Sequence, residues 1–146
     1  MKLTVAWIGK TKDPAIQELT DKYLKWLAFY ASVEGKSFKD ETQLSASANR
    51  SGSAVTPTLI ALDSRGKQLT SGDFAEFLRK HQDSSAHLLF AVGGADGLSE
   101  QVLQRTFFKL SLGKMTFSHE LARVVLLEQL YRAFTILKGH PYHTGH

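Results

Sequence analysis

Short aliphatic segments alternate along the chain with longer segments in which apolar residues recur every three or four positions. The short segments are rich in Val, Ile and Leu, as β-strands are, and the longer ones have the spacing of amphipathic helices. Strands are predicted at residues 2–9, 31–35, 58–63, 87–92 and 107–112. Helices are predicted from Asp13-Pro14 onward, at residues 71–82 and 99–105, and from the capping residue Ser118 to Gly139.

This alternation predicts an α/β protein whose mostly parallel sheet has helices on both faces. A length of 146 residues fits one domain, residues 1–146. Two segments are predicted to be irregular. Residues 64–67 form the exit turn of the third strand, and residues 40–53, rich in Ser, Asn and Ala, form a mobile loop or a frayed helix.

Three loops leave predicted strands at the edge of the sheet where parallel α/β proteins bind ligands, namely residues 62–67, 93–97 and 113–118. Glycines in the last two loops would let a ligand approach the backbone closely. The loop after the fourth strand, with Gly93, Gly94 and Gly97, is neither a P-loop nor a dinucleotide fingerprint. Its alternative interpretation is a tight turn, and the alternative for residues 113–118 is a simple helix cap.

The net charge of +4 lies entirely in the last third of the chain. Acidic and basic residues cancel over residues 1–104, whereas residues 105–146 carry six Lys and Arg against Glu120 and Glu128. Such asymmetry suits a surface that faces RNA, although a basic helix end that complements its own dipole would give the same pattern. Arg123 and Glu120 are three positions apart and fit an ordinary pair on a helix surface.

Cysteine is absent, which excludes a disulfide framework and thiolate metal ligands. No metal site is predicted, because His143 and His146 near the C-terminus have no carboxylate beside them. The apolar run that follows Lys2 is too short for a signal peptide or a membrane span. These features predict a cytoplasmic protein with no membrane partner.

The C-terminal sequence His140-Pro141-Tyr142-His143 differs from a disordered end because proline stiffens it. Tyr142 could stack on an RNA base, and His143 titrates near neutral pH and could move a proton. The alternative is a segment that only packs on its own domain.

These residues together resemble the RlmH family, the small methyltransferases of the SPOUT superfamily that act on N3 of a pseudouridine in large-subunit (23S) rRNA. The resemblance covers essentially the whole chain and is most specific between Leu88 and His143. The motifs that carry it are Leu62-Asp63, Gly66-Lys67, Gly93-Gly94-Ala95-Asp96-Gly97-Leu98-Ser99, Leu110-Ser111-Leu112, Met115-Thr116, His119, Arg123, Glu128-Gln129, Tyr131-Arg132-Ala133 and Pro141-Tyr142-His143.

The resemblance implies a SPOUT-type α/β knot, with a deep trefoil knot in the C-terminal half. It also implies a homodimer with its sites beside the subunit interface, and 23S rRNA in the large subunit or the 70S ribosome as partner. The cofactor would be S-adenosylmethionine. The implied cofactor-binding residues are Leu62, Gly94, Gly113, Lys114, Met115, Thr116, Phe117 and Ser118. The chain departs from the family at Thr144, where relatives usually have Arg or Lys.

Catalytic roles are assigned to the C-terminal residues as a hypothesis. His143 is expected to accept the N3 proton, while Tyr142 and Arg132 orient the target base. The competing function is an RNA-binding protein of the same fold without methyltransferase activity. A small-molecule methyltransferase and a phosphate-binding regulator are further alternatives, which the basic C-terminal segment and the absence of a P-loop lysine respectively disfavour.

Overall fold

The computed structural model describes residues 1–48, 57–83 and 86–144. Five strands form one sheet: β1 (Lys2–Ile8), β2 (Ser32–Phe38), β3 (Thr58–Gln68), β4 (His87–Val92) and β5 (Phe108–Ser111). Five helices connect or follow them: α1 (Pro14–Leu27), α2 (Glu41–Ala48), α3 (Ser71–Asp83), α4 (Glu100–Gln104) and α5 (His119–Leu137). Every strand pairing is parallel, and the strand order is β2-β1-β4-β3-β5.

Helices cover both faces of the sheet, as predicted, and alternate residues of each strand separate two cores. On one face, β4 contributes Leu88, Phe90 and Val92 to a core that also contains the apolar residues of α1, α3 and α5. On the other face, β4 contributes Leu89 and Ala91 to a smaller core with α2 and α4. The central strands β1, β4 and β3 are therefore fixed from both sides.

The exit turn predicted at residues 64–67 is wrong, because these residues belong to β3. The strand runs to Gln68, and its register against β5 shifts between Leu62 and Lys67, which both lie opposite Leu110. The four residues between Leu62 and Lys67 form a large bulge, after which β3 pairs with β5 again. A Cβ on Gly66 would lie 2.6 Å from the backbone oxygen of Lys109, so this glycine allows the bulge to approach β5.

The first part of the segment predicted as a loop or frayed helix is the helix α2. Asp40 accepts the backbone N–H of Gln43 at 3.0 Å, which caps the first turn. Leu44, the one large apolar residue here, is fully buried and holds α2 on the smaller core. The remainder of the predicted segment, residues 49–53, lies outside the described residues. The second strand is also longer than predicted and continues to Phe38.

Arg123 is buried, contrary to its interpretation as half of a surface pair. Only 1% of the residue is exposed. Its guanidinium lies 4.2 Å from the centre of the Trp7 ring and donates a hydrogen bond from Nη1 to the Thr11 hydroxyl at 2.8 Å. Glu120 instead accepts the backbone N–H of Lys12 at 2.7 Å. Both side chains thus attach the β1–α1 loop to the first turns of α5, and burial lowers the pKa of Arg123.

An Arg123→Ala protein is expected to lose about 3 kcal/mol of unfolding free energy, because a large buried side chain leaves a void over Trp7 and Thr11 loses its donor. Urea unfolding followed by tryptophan fluorescence measures this loss. Arg65→Ala is the matched control, since that side chain is 70% exposed and should change stability by less than about 0.5 kcal/mol. Equal stabilities for the two variants would contradict this account of Arg123.

Candidate cofactor cleft and C-terminal cluster

The three predicted strand-exit segments meet around one cleft of about 620 Å³. We call it the strand-exit cleft. Its walls come from the bulge of β3, the loop after β4, the β5–α5 loop and the first turn of α5. The lining residues are Leu62, Asp63, Ser64, Arg65, Val92, Gly93, Gly94, Ala95, Asp96, Gly97, Leu98, Leu110, Leu112, Gly113, Met115, Thr116, Phe117, Ser118, His119 and Ala122. A volume of this size accommodates a nucleoside-sized ligand.

Gly93 and Gly94 are adjacent residues of the cleft, and the absence of a side chain has a different consequence at each. A Cβ on Gly93 would lie 2.4 Å from the carbonyl carbon of Gly97, so Gly93 is required for the turn to close. A Cβ on Gly94 would meet no protein atom within 4 Å. Gly94 therefore leaves open space beside the cleft, while its carbonyl oxygen accepts the N–H of Gly97 at 2.9 Å.

The β5–α5 loop is held in place from both ends. The hydroxyl of Ser111 accepts the N–H of Gly113 at 3.1 Å and donates to its carbonyl oxygen at 3.0 Å. Gly113 has a φ of 129°, a conformation that side chains disfavour. At the other end, Ser118 accepts the N–H of Leu121 as the predicted N-cap of α5.

Of the eight residues expected to bind the cofactor, seven line the cleft. Lys114 is the exception: it is exposed and does not line the cleft. Sequence reasoning omitted several lining side chains, among them Asp63, Leu98 and Ala122. Asp63 lies inside the predicted segment 62–67 but was not assigned to the cofactor. Leu98 directly follows residues 93–97, and Ala122 lies one helical turn after Ser118, so extending those two segments by a few residues would have found them.

The three expected catalytic residues also lie together, but at the other end of α5. Arg132 Nη1 lies 2.9 Å from His143 Nδ1, and the Arg132 guanidinium lies 4.9 Å from the centre of the Tyr142 ring. The Tyr142 hydroxyl donates to Glu128 at 3.1 Å. Burial, together with the negative charge of Glu128, raises the pKa of Tyr142 to about 12, so this hydroxyl keeps its proton at neutral pH.

The C-terminal tail, residues 140–144, packs on its own chain through Tyr142, which meets the Tyr131 ring edge-on at 4.9 Å between centres.

His146, which could accompany His143 at a metal, lies outside the described residues. Among residues 1–48, 57–83 and 86–144, no group of three possible metal ligands occurs. In the same part of the chain, no helix combines the length and apolar character that a membrane span needs.

The C-terminal excess of positive charge is only partly available to an RNA. Arg123 is buried, and Arg132 forms an ion pair with Glu128 at 2.8 Å. Four basic residues of this part of the chain are exposed: Arg105, Lys109, Lys114 and Lys138. These side chains are the ones that can contact phosphates.

A family model described as "Predicted SPOUT methyltransferase" matches residues 1–143. The chain belongs to this family. A protein of Koribacter versatilis named "Ribosomal RNA large subunit methyltransferase H" is 52% identical over 147 residues, covering all of both chains.

Solved SPOUT-type structures share the fold of this chain. A probable methylase family protein from Haemophilus influenzae matches with a TM-score of 0.61 at 9% identity, covering 98% of this chain and 70% of the other. The SpoU methyltransferase AviRb of Streptomyces viridochromogenes, solved with its cofactor AdoMet, matches with a TM-score of 0.53 at 12% identity. That match covers 88% of this chain and 56% of the other. The predicted α/β fold is confirmed, while the trefoil knot stays a prediction.

The strand-exit cleft fits the cofactor of a SPOUT methyltransferase. S-adenosylmethionine combines an apolar adenosyl face with hydrogen-bonding ring and ribose edges. Leu62, Leu98 and Leu112 supply apolar surface, and the absence of a side chain at Gly94 leaves room beside them. Asp63, Thr116 and Ser118 add polar side chains to the wall of the cleft. Apolar surface combined with polar groups that can fix a ligand's orientation is typical of cofactor pockets.

Proposed function

We propose that this protein transfers a methyl group from S-adenosylmethionine to N3 of a pseudouridine in large-subunit (23S) rRNA. The observation that carries the proposal is the strand-exit cleft, where the bulge of β3 and two loops of a SPOUT-family chain surround a nucleoside-sized space. A relative that is 52% identical along its whole length bears the name of a large-subunit rRNA methyltransferase. The ribosome as substrate implies a cytoplasmic location.

The residues of the cleft hold the cofactor, which supplies a methyl group on a positively charged sulfur. When the cofactor binds, the backbone of Gly94 and Met115 would hydrogen-bond the adenosine, and Leu62 would pack against it. N3 of the target carries an imide proton and becomes nucleophilic only when that proton leaves. The protein therefore has to place the base accurately and stabilise its negative charge, which is the role of Arg132, Tyr142 and His143.

A single chain does not bring these two groups of residues together. Arg132 lies thirteen positions after His119 of the cleft along α5. At about 1.5 Å per residue this separation is about 20 Å, whereas reacting atoms must approach to about 3.5 Å. We therefore infer a homodimer in which the tail of one chain completes the cleft of the other.

Apolar side chains at the cleft rim support this homodimer. Met115 is 82% exposed, Leu121 41% and Phe117 37%, although large apolar residues usually avoid water. They lie in the β5–α5 loop and the first turn of α5, next to the cleft. An isologous contact through this region would bury them and would bring each cleft close to a second chain.

Cells that lack this protein are expected to lose one methylated pseudouridine from 23S rRNA. Mass spectrometry of nucleosides from purified 23S rRNA measures the loss, and the wild-type gene should restore the nucleoside. His143→Ala protein should restore much less of it. An unchanged nucleoside profile would contradict the proposal and would favour an RNA-binding protein without methyltransferase activity, which a pull-down of 23S rRNA would then detect.

A further inference from the structure

Glu128 lies at the centre of a hydrogen-bonded network. Its Oε1 accepts from Arg132 Nε at 3.0 Å, from Arg132 Nη2 at 2.8 Å and from the Tyr142 hydroxyl at 3.1 Å. Its Oε2 accepts from Gln129 Nε2 at 3.1 Å, and Gln129 in turn accepts from the Ser71 hydroxyl at 2.8 Å. One carboxylate thus connects α5, the C-terminal tail and, through Gln129, helix α3.

The geometry of this ion pair is more constrained than that of a surface pair. The side chains of Glu128 and Arg132 are each 20% exposed. Two guanidinium nitrogens, Nε and Nη2, engage the same carboxylate oxygen, so the plane of the Arg132 guanidinium is fixed. The remaining nitrogen, Nη1, consequently has a fixed direction, and it points at the His143 ring.

The contact of Arg132 with His143 determines which ring nitrogen carries the proton. A guanidinium has hydrogen-bond donors only and does not lose its proton in proteins. In the 2.9 Å contact, Arg132 Nη1 is therefore the donor and His143 Nδ1 the acceptor. An imidazole whose Nδ1 accepts a hydrogen bond has its proton on Nε2.

This tautomer changes the role expected for His143. A ring that carries its proton on Nε2 is a donor at that atom and cannot accept a proton there. When N3 of a pseudouridine loses its proton, the negative charge spreads onto the two carbonyl oxygens beside it. A fixed N–H directed at such an oxygen stabilises this charge as it develops.

We propose that Glu128 is a positioning residue that holds His143, through Arg132, as an Nε2–H donor to the ionised target base. The N3 proton then leaves to solvent water. His143 acts by stabilising the negative charge that remains on the base, and not as the proton acceptor that the sequence suggested. The part of this proposal that concerns the reaction rests on the proposed function. The part that concerns the tautomer does not, and it can be measured on the protein alone.

The tautomer is tested by the ¹⁵N chemical shifts of the His143 ring, assigned by comparison with His143→Asn and measured at alkaline pH, where imidazole is neutral. The wild-type protein should show a protonated Nε2 and an unprotonated Nδ1. In Glu128→Gln, the uncharged amide no longer fixes Arg132, and the two shifts should move towards each other. A wild-type proton on Nδ1, or unchanged shifts in Glu128→Gln, would overturn the proposal.

The effect on the reaction is tested by single-turnover methylation of ribosomes. Glu128→Gln should lower the rate about 100-fold, as loss of one oriented donor does, while the Kd for S-adenosylmethionine stays unchanged. The control is Glu76→Gln, which removes a carboxylate from an exposed Glu–Arg pair on α3 and should alter neither the rate nor the His143 shifts. A full rate in Glu128→Gln, with altered shifts, would refute the catalytic part. Inactive wild-type protein would refute the proposed function and leave the tautomer result valid.

Discussion

A Gly94→Val protein is expected to fold normally and to lose S-adenosylmethionine binding. A Cβ at this position meets no protein atom within 4 Å, and the φ of Gly94 is not positive, so the backbone accepts a side chain. The two methyl groups of valine would then occupy space inside the strand-exit cleft. We expect the Kd to rise more than about 100-fold, which corresponds to about 2.7 kcal/mol. Titration calorimetry measures this change.

Two control variants separate a blocked cleft from a damaged fold. Gly72→Val places the same side chain at an exposed position in α3, and it should leave the Kd unchanged. Gly93→Ala places a Cβ 2.4 Å from the Gly97 backbone, so it should lower the unfolding midpoint as well as binding. Full binding heat in Gly94→Val would exclude this wall of the cleft as the cofactor site.

The walls of the cleft could be predicted from the sequence because they depend on a general property of parallel sheets. The carboxyl ends of all the strands lie at one edge, so loops that follow buried strands must approach one another there. The loops that contain Gly94 and Gly113 follow from this property, whereas the assignment of these two residues to the cofactor comes from the family resemblance. The bulge of β3 could not be found, because it depends on the pairing of Lys67 with Leu110, more than forty positions later.

The burial of Arg123 and the contacts of Glu128, both on α5, could not be predicted from residue type alone. Arginine is usually exposed, and the burial of Arg123 depends on Trp7 and Thr11, which lie more than a hundred positions earlier in the chain. The sequence around Glu128 is that of a helix surface, and its contact with Tyr142 exists only because the C-terminal tail packs against α5. Both positions belong to the motifs that carry the family resemblance, but only the three-dimensional contacts give them a role.

Mixed dimers of two inactive variants are expected to recover methyltransferase activity. Gly94→Val protein has a blocked cleft and an intact tail, whereas His143→Ala protein has an open cleft and a defective tail. In a homodimer whose tail acts on the partner's cleft, a mixed pair contains one complete site. Dimers purified because they contain both variants have one complete site of two, so their activity should reach about half of the wild-type value. Each variant alone should stay at about 1% of that value, because His143→Ala loses one oriented donor and Gly94→Val binds the cofactor about 100-fold more weakly.

The measurement uses the two chains co-expressed with different affinity tags and purified through both tags in sequence, followed by single-turnover methylation of ribosomes. The double variant, with both substitutions in one chain, is co-expressed with wild-type chain as a control. Its mixed dimer has one intact cleft facing a defective tail and one blocked cleft facing an intact tail, and should be inactive. If the tail acted on the cleft of its own chain, this control would be active and the first mixture would not. That reversal would exclude the shared site and would require the tail to move about 20 Å to the other end of α5.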